Sequence, residues 1–387
     1  MITPQDLELT EAQLRHADSF KWTKYPADVL PLWVADMDFA IAPSIRAALQ
    51  NRLLQSLGYN QVEGDPVLIS LLRQKLETAG FQNLPNKFVR FLTGVVPCLG
   101  TAILGLTQPT DTVITMTPIY TPFLSAIKDH HRTLAEVSLK ETPDRYEIDW
   151  PAMEVAATEK KAKLLLLCHP HNPTGRVWSP TELRQLAAYC ERHNLYIVSD
   201  ELHADLTFDG SHTPFISHAS ESLKQKTLTL TGPCKTYNTA GLGIGAIISH
   251  NASLLTNVMK STLWIAGHPT ALSVAMWKAA LQDNGEWHTA MLTYLKENRD
   301  LLESFVRRNL PNVKLKHTEA TYLAWLDYRT HPEARHIGKH LLETAKVALN
   351  DGPMFGTGYE GFARLNFATS KKILQEALTR LAADPLL

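Results

Sequence analysis

The chain has 387 residues, of which 44% are hydrophobic and 20% are charged, and this is ordinary globular composition. A chain of this length is expected to form two domains, or one large α/β unit with a smaller companion. The formal net charge of -1 provides no long-range field that would attract nucleic acid or an anionic membrane. We therefore expect a small-molecule partner, and neither nucleic acid nor membrane.

Residues 1–16 contain acids and lack the apolar segment of a signal peptide, and the strongest apolar run, at 164–168, is too short to span a bilayer. These features predict a soluble, cytoplasmic protein. The four cysteines show no CxxC spacing, which argues against a zinc knuckle and against a disulfide framework. His169 and His171 flank a proline in a turn, so no metal site is predicted.

The N-terminal part contains an apolar segment at 30–35 that ends at Asp36 and Asp38. We interpret both carboxylates as turn-forming or helix-capping groups, because Pro43 and Ser44 are typical of a helix start. The alternative is that they mark the edge between a strand and a loop.

Two helices are predicted next. The first begins at Pro43 and runs to Leu57. The second starts at Asp65, continues through Leu76 and ends near Gly80.

From Lys87 onward, short apolar runs alternate with helical patterns. The runs lie at 88–92, 112–116, 164–168, 195–199, 228–231 and 244–248. Helical patterns lie at 180–192, 268–282 and 286–309. This alternation predicts an α/β fold with a mostly parallel sheet that is covered by helices on both faces. We place a large domain at 46–280 and a small α+β domain at 1–45 and 281–387.

Lys235 lies just past the apolar run at 228–231, in a segment rich in glycine. No carboxylate occurs within four positions on either side, so we expect a partly desolvated amine without an ion-pair partner. Such an amine has a depressed pKa and can form a Schiff base. The alternative interpretation is a solvated loop lysine.

Polar or glycine-rich breaks follow the other buried strands, and such breaks converge on one crevice in open α/β sheets. At Gly94 a turn leads into a helix start at Val95 and Val96, whose free N–H groups can hold a phosphate; a plain strand-to-helix turn is the alternative. Tyr120 lies between two prolines and can stack on a planar cofactor or pack on the domain surface.

Asn172 lies in a tight turn where its amide can donate to an oxyanion, unless it only forms the turn. Asp200 ends a buried strand, and a buried carboxylate needs a cationic or strongly donating partner, such as the protonated nitrogen of a heteroaromatic ring. His203 can hydrogen-bond the same cofactor or be structural. The five strand ends together match the reactive features of pyridoxal 5'-phosphate (PLP), which we predict as the cofactor.

The motifs WVADMDF, GVVP, PIYTPF, HPHNPTGRVW, SDELH and KTYNTAGL resemble those of the fold-type I PLP enzymes of aminotransferase class I and II. The resemblance covers nearly the whole chain. WVADMDF, GVVP and PIYTPF are most similar to the cystathionine β-lyase branch, the MalY/PatB type of C–S lyase. The fold implied is a mostly parallel central sheet flanked by helices, with a smaller α+β domain.

This resemblance implies that Lys235 forms the Schiff base and is the acid/base for the Cα proton. It implies that Asp200 pairs with the pyridine nitrogen, and that Asn172 and His203 face the ring hydroxyl oxygen. Tyr120 is expected to stack on the ring with a catalytic role, and Tyr120 and Asn172 are also expected at the substrate.

The resemblance further implies that the backbone from Gly94 through Val95 and Val96 binds the phosphate. Tyr59 is expected to reach the phosphate of the neighbouring subunit, so that a homodimer forms the active site.

Arg364 is expected to clamp the substrate carboxylate, with help from the backbone near Ala35. From the residues alone, Arg364 in the apolar run ARLNF needs either an anionic ligand or a buried ion pair.

Two positions depart from the pattern of aminotransferases. Gly243 stands where many of them carry a phosphate-binding arginine, and the lyase branch also lacks that arginine. Cys234 stands where serine is common and would lose a phosphate hydrogen bond. Gly243 therefore favours a lyase.

The predicted reaction is α,β-elimination of cystathionine or another S-substituted cysteine to a thiol, pyruvate and ammonia. The alternatives are an aminotransferase of an α-amino acid and a PLP-binding regulator of a transcription factor that acts through protein contact. The N-terminal segment and the loop around Trp264 are expected to set the size of the pocket, which leaves the preferred substrate open.

Overall fold

The computed structural model describes residues 2, 6–61, 64–263 and 265–386. Trp264, which is expected to help set the pocket size, lies outside the described residues. The helices are α1 Glu11–His16, α2 Phe20–Thr23, α3 Pro43–Leu53, α4 Pro66–Ala79, α5 Val95–Leu106, α6 Thr121–Asp129, α7 Trp150–Thr158, α8 Pro180–Arg192, α9 Glu221–Lys224, α10 Ala252–Lys260, α11 Ala271–Leu281, α12 Glu286–Asn309, α13 Ile337–Thr344 and α14 Lys371–Ala382. The strands are β1 Leu30–Pro31, β2 Val89–Leu92, β3 Thr112–Thr117, β4 Thr133–Ser138, β5 Lys140–Glu141, β6 Tyr146–Glu147, β7 Ala162–Cys168, β8 Tyr196–Asp200, β9 Thr227–Thr231, β10 Gly245–Ser249, β11 Lys314–Leu315, β12 Leu323–Asp327, β13 Val347–Ala348, β14 Asn350–Asp351 and β15 Phe362–Asn366.

A seven-stranded sheet with the order β2-β10-β9-β8-β7-β3-β4 forms the centre of the described chain. The neighbours from β9 to β4 pair in parallel, and β10 runs antiparallel to β2 and β9. Strand β3 is buried at every position, as is usual for a strand that helices cover on both faces. The predicted α/β class with a mostly parallel sheet is confirmed.

Each of the six predicted apolar runs forms a strand of this sheet, but β4 was missed. Strand β4 pairs only with β3 at the edge of the sheet, and its residues alternate between buried and more exposed positions. An edge strand needs no continuous apolar run, because solvent covers part of its surface.

Capping residues set the bounds of the helices that were predicted well. Ser179 and Glu182 form a reciprocal capping box at the start of α8, and this arrangement satisfies two otherwise free N–H groups. Asp65 caps α4 by accepting from the N–H of Leu68, and Gly80 ends that helix at a φ of 112°. Within the described residues, no helix has the length and apolar content needed to cross a bilayer; a cytoplasmic location stays a prediction.

The prediction that the first helix continues to Leu57 was wrong, because α3 ends at Leu53. Leu54 is 87% exposed and Leu57 is 53% exposed. A further turn would gain no apolar burial within the chain, and packing supplies most of the stability of a short helix.

The interpretation of Asp36 and Asp38 as caps of α3 was also wrong. The N-cap of α3 is Ala42, without a side-chain capping bond. Instead, the ammonium of Lys21 lies 3.4 Å from a carboxylate oxygen of Asp36 and 3.0 Å from one of Asp38. Lys21 is only 1% exposed, so the two carboxylates provide the charge compensation that a buried ammonium requires.

A second, four-stranded antiparallel sheet with the order β11-β12-β15-β14 belongs to the C-terminal part. The N-terminal strand β1 pairs in parallel with β13, and the N–H of Leu32 donates to Ala348 O. The grouping of 1–45 with 281–387 as one domain stays a prediction, and these pairings support it.

Close packing of α5 against α10 provides a test of the fold behind the first turn of α5. A Cβ on Gly105 would lie 2.6 Å from Val258 Cα. We expect Gly105→Ala to lower the free energy of unfolding by about 1–3 kcal/mol through overpacking, as measured by denaturant unfolding. Gly100→Ala on the same helix is the control, because its closest contact is the ring atom His130 Nε2 at 3.3 Å. Equal losses in the two variants would contradict this packing.

Candidate active site

The predicted site residues gather at the carboxyl ends of β7, β8 and β9. Asn172 lies in the loop after β7, Asp200 is the last residue of β8, and Lys235 lies in the loop after β9. These strands are parallel neighbours, so their ends open onto one crevice.

The side chain of Lys235 is held inside this crevice. Its Nζ donates to Ala35 O in a partly buried hydrogen bond, and the same carbonyl accepts from the hydroxyl of Tyr322 at 3.0 Å. Lys235 is therefore not a solvated loop lysine, although its chemical role stays a prediction.

Asp200 and His203 show opposite effects of burial on charge. Burial raises the pKa of Asp200 to about 6, although the N–H of Leu202 and the charge of Lys235 lower it. Burial lowers the pKa of His203 to about 3, and the positive charges of Lys235 and Arg364 lower it further. His203 is therefore a neutral imidazole at pH 7, and its buried Nδ1 has no hydrogen-bond partner within the described chain.

Arg364 lies on β15 opposite Asn350 of β14 and is surrounded by neutral acceptors. It donates to Asn172 Oδ1 at 3.1 Å, to Asn350 Oδ1 at 2.6 Å and to Trp33 O at 3.0 Å. Its Nε has no hydrogen-bond partner, and burial lowers its pKa to about 10.

Among the residues that the structure describes, no carboxylate forms a salt bridge with Arg364. The buried ion pair that the sequence left open is therefore not found there. A buried guanidinium with only neutral partners suits an anionic ligand.

The start of α5 forms a backbone cradle. Gly94 is its N-cap with a φ of 153°, and no side chain caps the first turn, so the N–H groups there are available to an anion. A Cβ on Gly245 would lie 2.8 Å from Val95 N. Val95 is buried and Val96 is exposed.

Gly243, the position of the aminotransferase arginine, packs against the neighbouring backbone. A Cβ there would lie 2.4 Å from Thr93 O. A side chain at 243 would therefore require the backbone to move.

Tyr120 is placed beside Asn172, since its N–H donates to Asn172 O at 3.2 Å. Burial raises the pKa of the Tyr120 phenol, and the charges of Arg364 and Asp200 also act on it. Tyr120 thus keeps its proton at neutral pH and lies within electrostatic reach of both groups.

Tyr59 is not brought to this site within one chain. It lies fully exposed in the connection between α3 and α4, and no hydrogen bond or ion pair joins it to the residues above among those described.

Four polar residues that touch the site were missed by the sequence analysis. They are Tyr322, Asn350, Asn238 and Asn366. Only Asn350 had a positional indication, because it follows a short apolar run and precedes a Gly-Pro turn.

The described residues fit PLP. Asp200 can pair with a protonated ring nitrogen, the free Nδ1 of His203 can meet a polar ring substituent, and the uncapped turn after Gly94 can take a phosphate. Lys235 supplies the amine that a Schiff base requires.

A cluster outside this crevice has the composition of a metal site. The candidate ligand atoms of His331, His340 and Asp384 all lie within 4.8 Å of one another. However, His331 Nδ1 accepts from the N–H of Glu333 at 3.0 Å, which leaves the ring proton of the neutral imidazole on Nε2, the atom that faces Asp384. A protonated nitrogen cannot ligate a metal, so the cluster is explained as a hydrogen-bonded one.

A mostly parallel sheet with a lysine, a carboxylate and a phosphate cradle at its strand ends defines a PLP-binding α/β protein. The chain belongs to the aminotransferase class I and II family, whose model matches residues 27–381.

The similar proteins include C–S lyases. The chain is 34% identical to cystathionine beta-lyase PatB of Bacillus subtilis, over 94% of this chain and 96% of that protein. It is similar in structure to cystalysin of Treponema denticola, which contains PLP, with a TM-score of 0.91 and 31% identity over 99% and 98% of the two chains. It is also similar to a PLP-bound C–S lyase of Staphylococcus hominis, with a TM-score of 0.88 and 28% identity over 96% and 98%.

The raised pKa of Asp200 predicts opposite effects of Asp200→Asn on stability and on cofactor binding. Because the folded carboxyl has a pKa of about 6 against an ordinary 3.8, its contribution to stability is complete below pH 3.8 and is lost as the pH rises through 6. In the cofactor-free protein, we expect the free energy of unfolding of Asp200→Asn to rise relative to wild type between pH 4.5 and pH 7.

The same variant should bind PLP about tenfold or more weakly, because a hydrogen bond to a charged group contributes roughly 1.5–3 kcal/mol. Urea unfolding and an absorbance titration with PLP measure the two effects. Unchanged PLP affinity would show that Asp200 does not contact the cofactor.

Proposed function

We propose that this protein is a PLP-dependent C–S β-lyase that releases a thiol from cystathionine or another S-substituted cysteine, with pyruvate and ammonia as the other products. The observation that carries the reaction class is the 34% identity over 94% of the chain to a cystathionine beta-lyase. The site geometry supports the amino-acid part of the proposal, because a buried cation and an amine lie in one crevice.

The substrate carboxylate binds Arg364. The guanidinium is already oriented by Asn172, Asn350 and the backbone of Trp33, so little side-chain entropy is lost when the ligand arrives. Its unpartnered Nε and its charge suit a planar carboxylate, which guanidinium groups bind in bidentate geometry.

Lys235 moves the protons of the reaction. Its Nζ, once released from Ala35 O, takes the Cα proton of the substrate, as a general base within hydrogen-bond reach does. PLP, when bound, withdraws the electrons left at Cα. Asp200 keeps a proton at the ring nitrogen, and neutral His203 with the Asn172 amide lies near the ring oxygen. Tyr120 covers the ring.

Elimination follows when the thiolate leaves from Cβ and takes a proton. Hydrolysis of the remaining three-carbon fragment gives pyruvate and ammonia.

Transamination is the second candidate, since the chain belongs to a family described as aminotransferases. The same residues would bind the amino acid and take the same proton. The two reactions differ only in where the proton returns.

Product analysis separates the two. We expect the purified protein to release pyruvate from cystathionine without any added keto acid, as measured by a coupled lactate dehydrogenase assay. Lys235→Ala should lower this rate at least ~1,000-fold, because proton transfer by a positioned base contributes 10²–10⁴-fold and the Schiff base is also lost. Amino-group transfer that requires a keto acid, with no pyruvate release, would instead identify an aminotransferase.

A second copy of this chain is proposed to complete the site. The connection after α3 exposes Tyr59 together with Leu53, Leu54 and Leu57, and clustered exposed apolar side chains often mark a protein interface. In a homodimer with twofold symmetry, Tyr59 of each subunit would reach the phosphate held at the other subunit's α5.

Mixed dimers test whether Tyr59 acts across the interface. Lys235→Ala should be inactive and Tyr59→Ala should have weak PLP binding, because it lacks a phosphate hydrogen bond. When the two variants are co-expressed, each mixed dimer has one site with both residues intact. At limiting PLP, we expect roughly one quarter of wild-type activity, since half of the dimers are mixed and each has one complete site. Activity no higher than the mean of the two parents would mean that Tyr59 does not act in the partner's site.

A further inference from the structure

A short backbone segment connects Lys235 with Arg364. We name residues 33–39 the strap. Its carbonyls accept from side chains that flank the site: Trp33 O from Arg364, Val34 O and Asp36 O from Asn366, Ala35 O from Lys235 and Tyr322, and Met37 O and Phe39 O from Asn238. The strap thus touches both the proposed base and the proposed carboxylate clamp.

Asn366 holds the strap from β15. It lies two residues beyond Arg364, so both side chains leave the strand on the same face. Its Nδ2 donates to Val34 O at 2.5 Å and to Asp36 O at 2.6 Å, while its Oδ1 accepts from the N–H of Ala368 at 2.8 Å. The side chain is fully buried, so no water replaces these bonds if they are lost.

Asn238 holds the strap from the lysine loop, three residues beyond Lys235. Its Nδ2 donates to Met37 O at 2.9 Å and to Phe39 O at 2.8 Å. Its Oδ1 accepts from the N–H of Met37 at 2.9 Å. The loop that carries the amine and the strap are thereby fixed to each other.

We infer that Asn366 and Asn238 are positioning residues for the reaction. By fixing the strap, they set the positions of the carbonyls of Trp33 and Ala35, which orient the guanidinium of Arg364 and the amine of Lys235. Amino-acid binding at one group and amine placement at the other are therefore coupled through one backbone segment. This inference rests on the proposed function in placing the substrate α-carboxylate at Arg364.

Asn366→Asp is the main test, with Asn298→Asp as a matched control. The substitution keeps the size and the acceptor of Asn366 but removes both donors to the strap. Asn298 is also fully buried, and its Nδ2 donates to two carbonyls outside the strap, Phe367 O at 2.9 Å and Thr369 O at 2.7 Å. Both variants lose two buried hydrogen bonds, and only one of them releases the strap.

The probe is L-alanine, which has the α-amino and α-carboxyl groups of the substrate but no leaving group at Cβ. Its dissociation constant is measured on the PLP-loaded protein from the change in cofactor absorbance, and thermal unfolding is recorded beside it. We expect Asn366→Asp to raise the dissociation constant tenfold or more and Asn298→Asp to leave it within twofold. Both should unfold at lower temperature than wild type.

Asn238→Asp provides a second variant, which keeps the acceptor for the N–H of Met37 and removes both donors. It carries the same tenfold expectation and replaces Asn366→Asp if that variant does not fold. A dissociation constant within twofold of wild type in the folded strap variant, or an equal rise in Asn298→Asp, would overturn the inference.

Arg364→Lys separates this inference from the proposed function. If Arg364→Lys binds L-alanine as wild type does, the carboxylate clamp itself is wrongly assigned. If Arg364→Lys weakens binding and the strap variants do not, only the positioning role fails.

Discussion

The guanidinium of Arg364 is a positive charge held below the surface by neutral oxygens. Such a charge is costly to bury, because water no longer solvates it and no carboxylate among the described residues neutralises it. Its three acceptors come from parts of the chain that are far apart in sequence: the loop after β7, strand β14 and the strap. These elements can meet only when the central sheet, the C-terminal sheet and the N-terminal segment pack together, so the charge and the fold depend on each other.

The rest of the crevice is arranged around that charge. Lys235 adds a second donor at Ala35 O, and His203 stays neutral because burial and both cations oppose its protonation. Asp200 lies at the end of β8 with a raised pKa, which a cationic ring nitrogen would lower again. A ligand with a carboxylate and a cofactor with a basic ring nitrogen and a phosphate would together compensate each of these groups.

Local sequence was sufficient wherever neighbouring residues decide the structure. The bounds of α8 and α12 were predicted as observed, and Ser179 with Glu182 shows why for α8: both members of the capping box lie within the helix start. The buried strands were found because a strand covered on both faces needs an unbroken apolar run. The same criterion missed β4 at the edge of the sheet. It also extended α3 to Leu57, because sequence does not show that the leucines beyond Leu53 face outward in the single chain.

The sequence by itself determined which residue types stand at the strand ends, namely Asn172, Asp200 and Lys235, since the strands and the breaks after them are local patterns. Only the tertiary structure decided their partners. Lys235 meets a carbonyl two hundred residues earlier in the chain, and Asp36 pairs with Lys21 instead of capping α3. Asn366 holds a backbone segment more than three hundred residues away. Hydrogen bonds between such distant groups follow from how the sheets and the N-terminal segment pack, and no periodicity or spacing within the sequence encodes them.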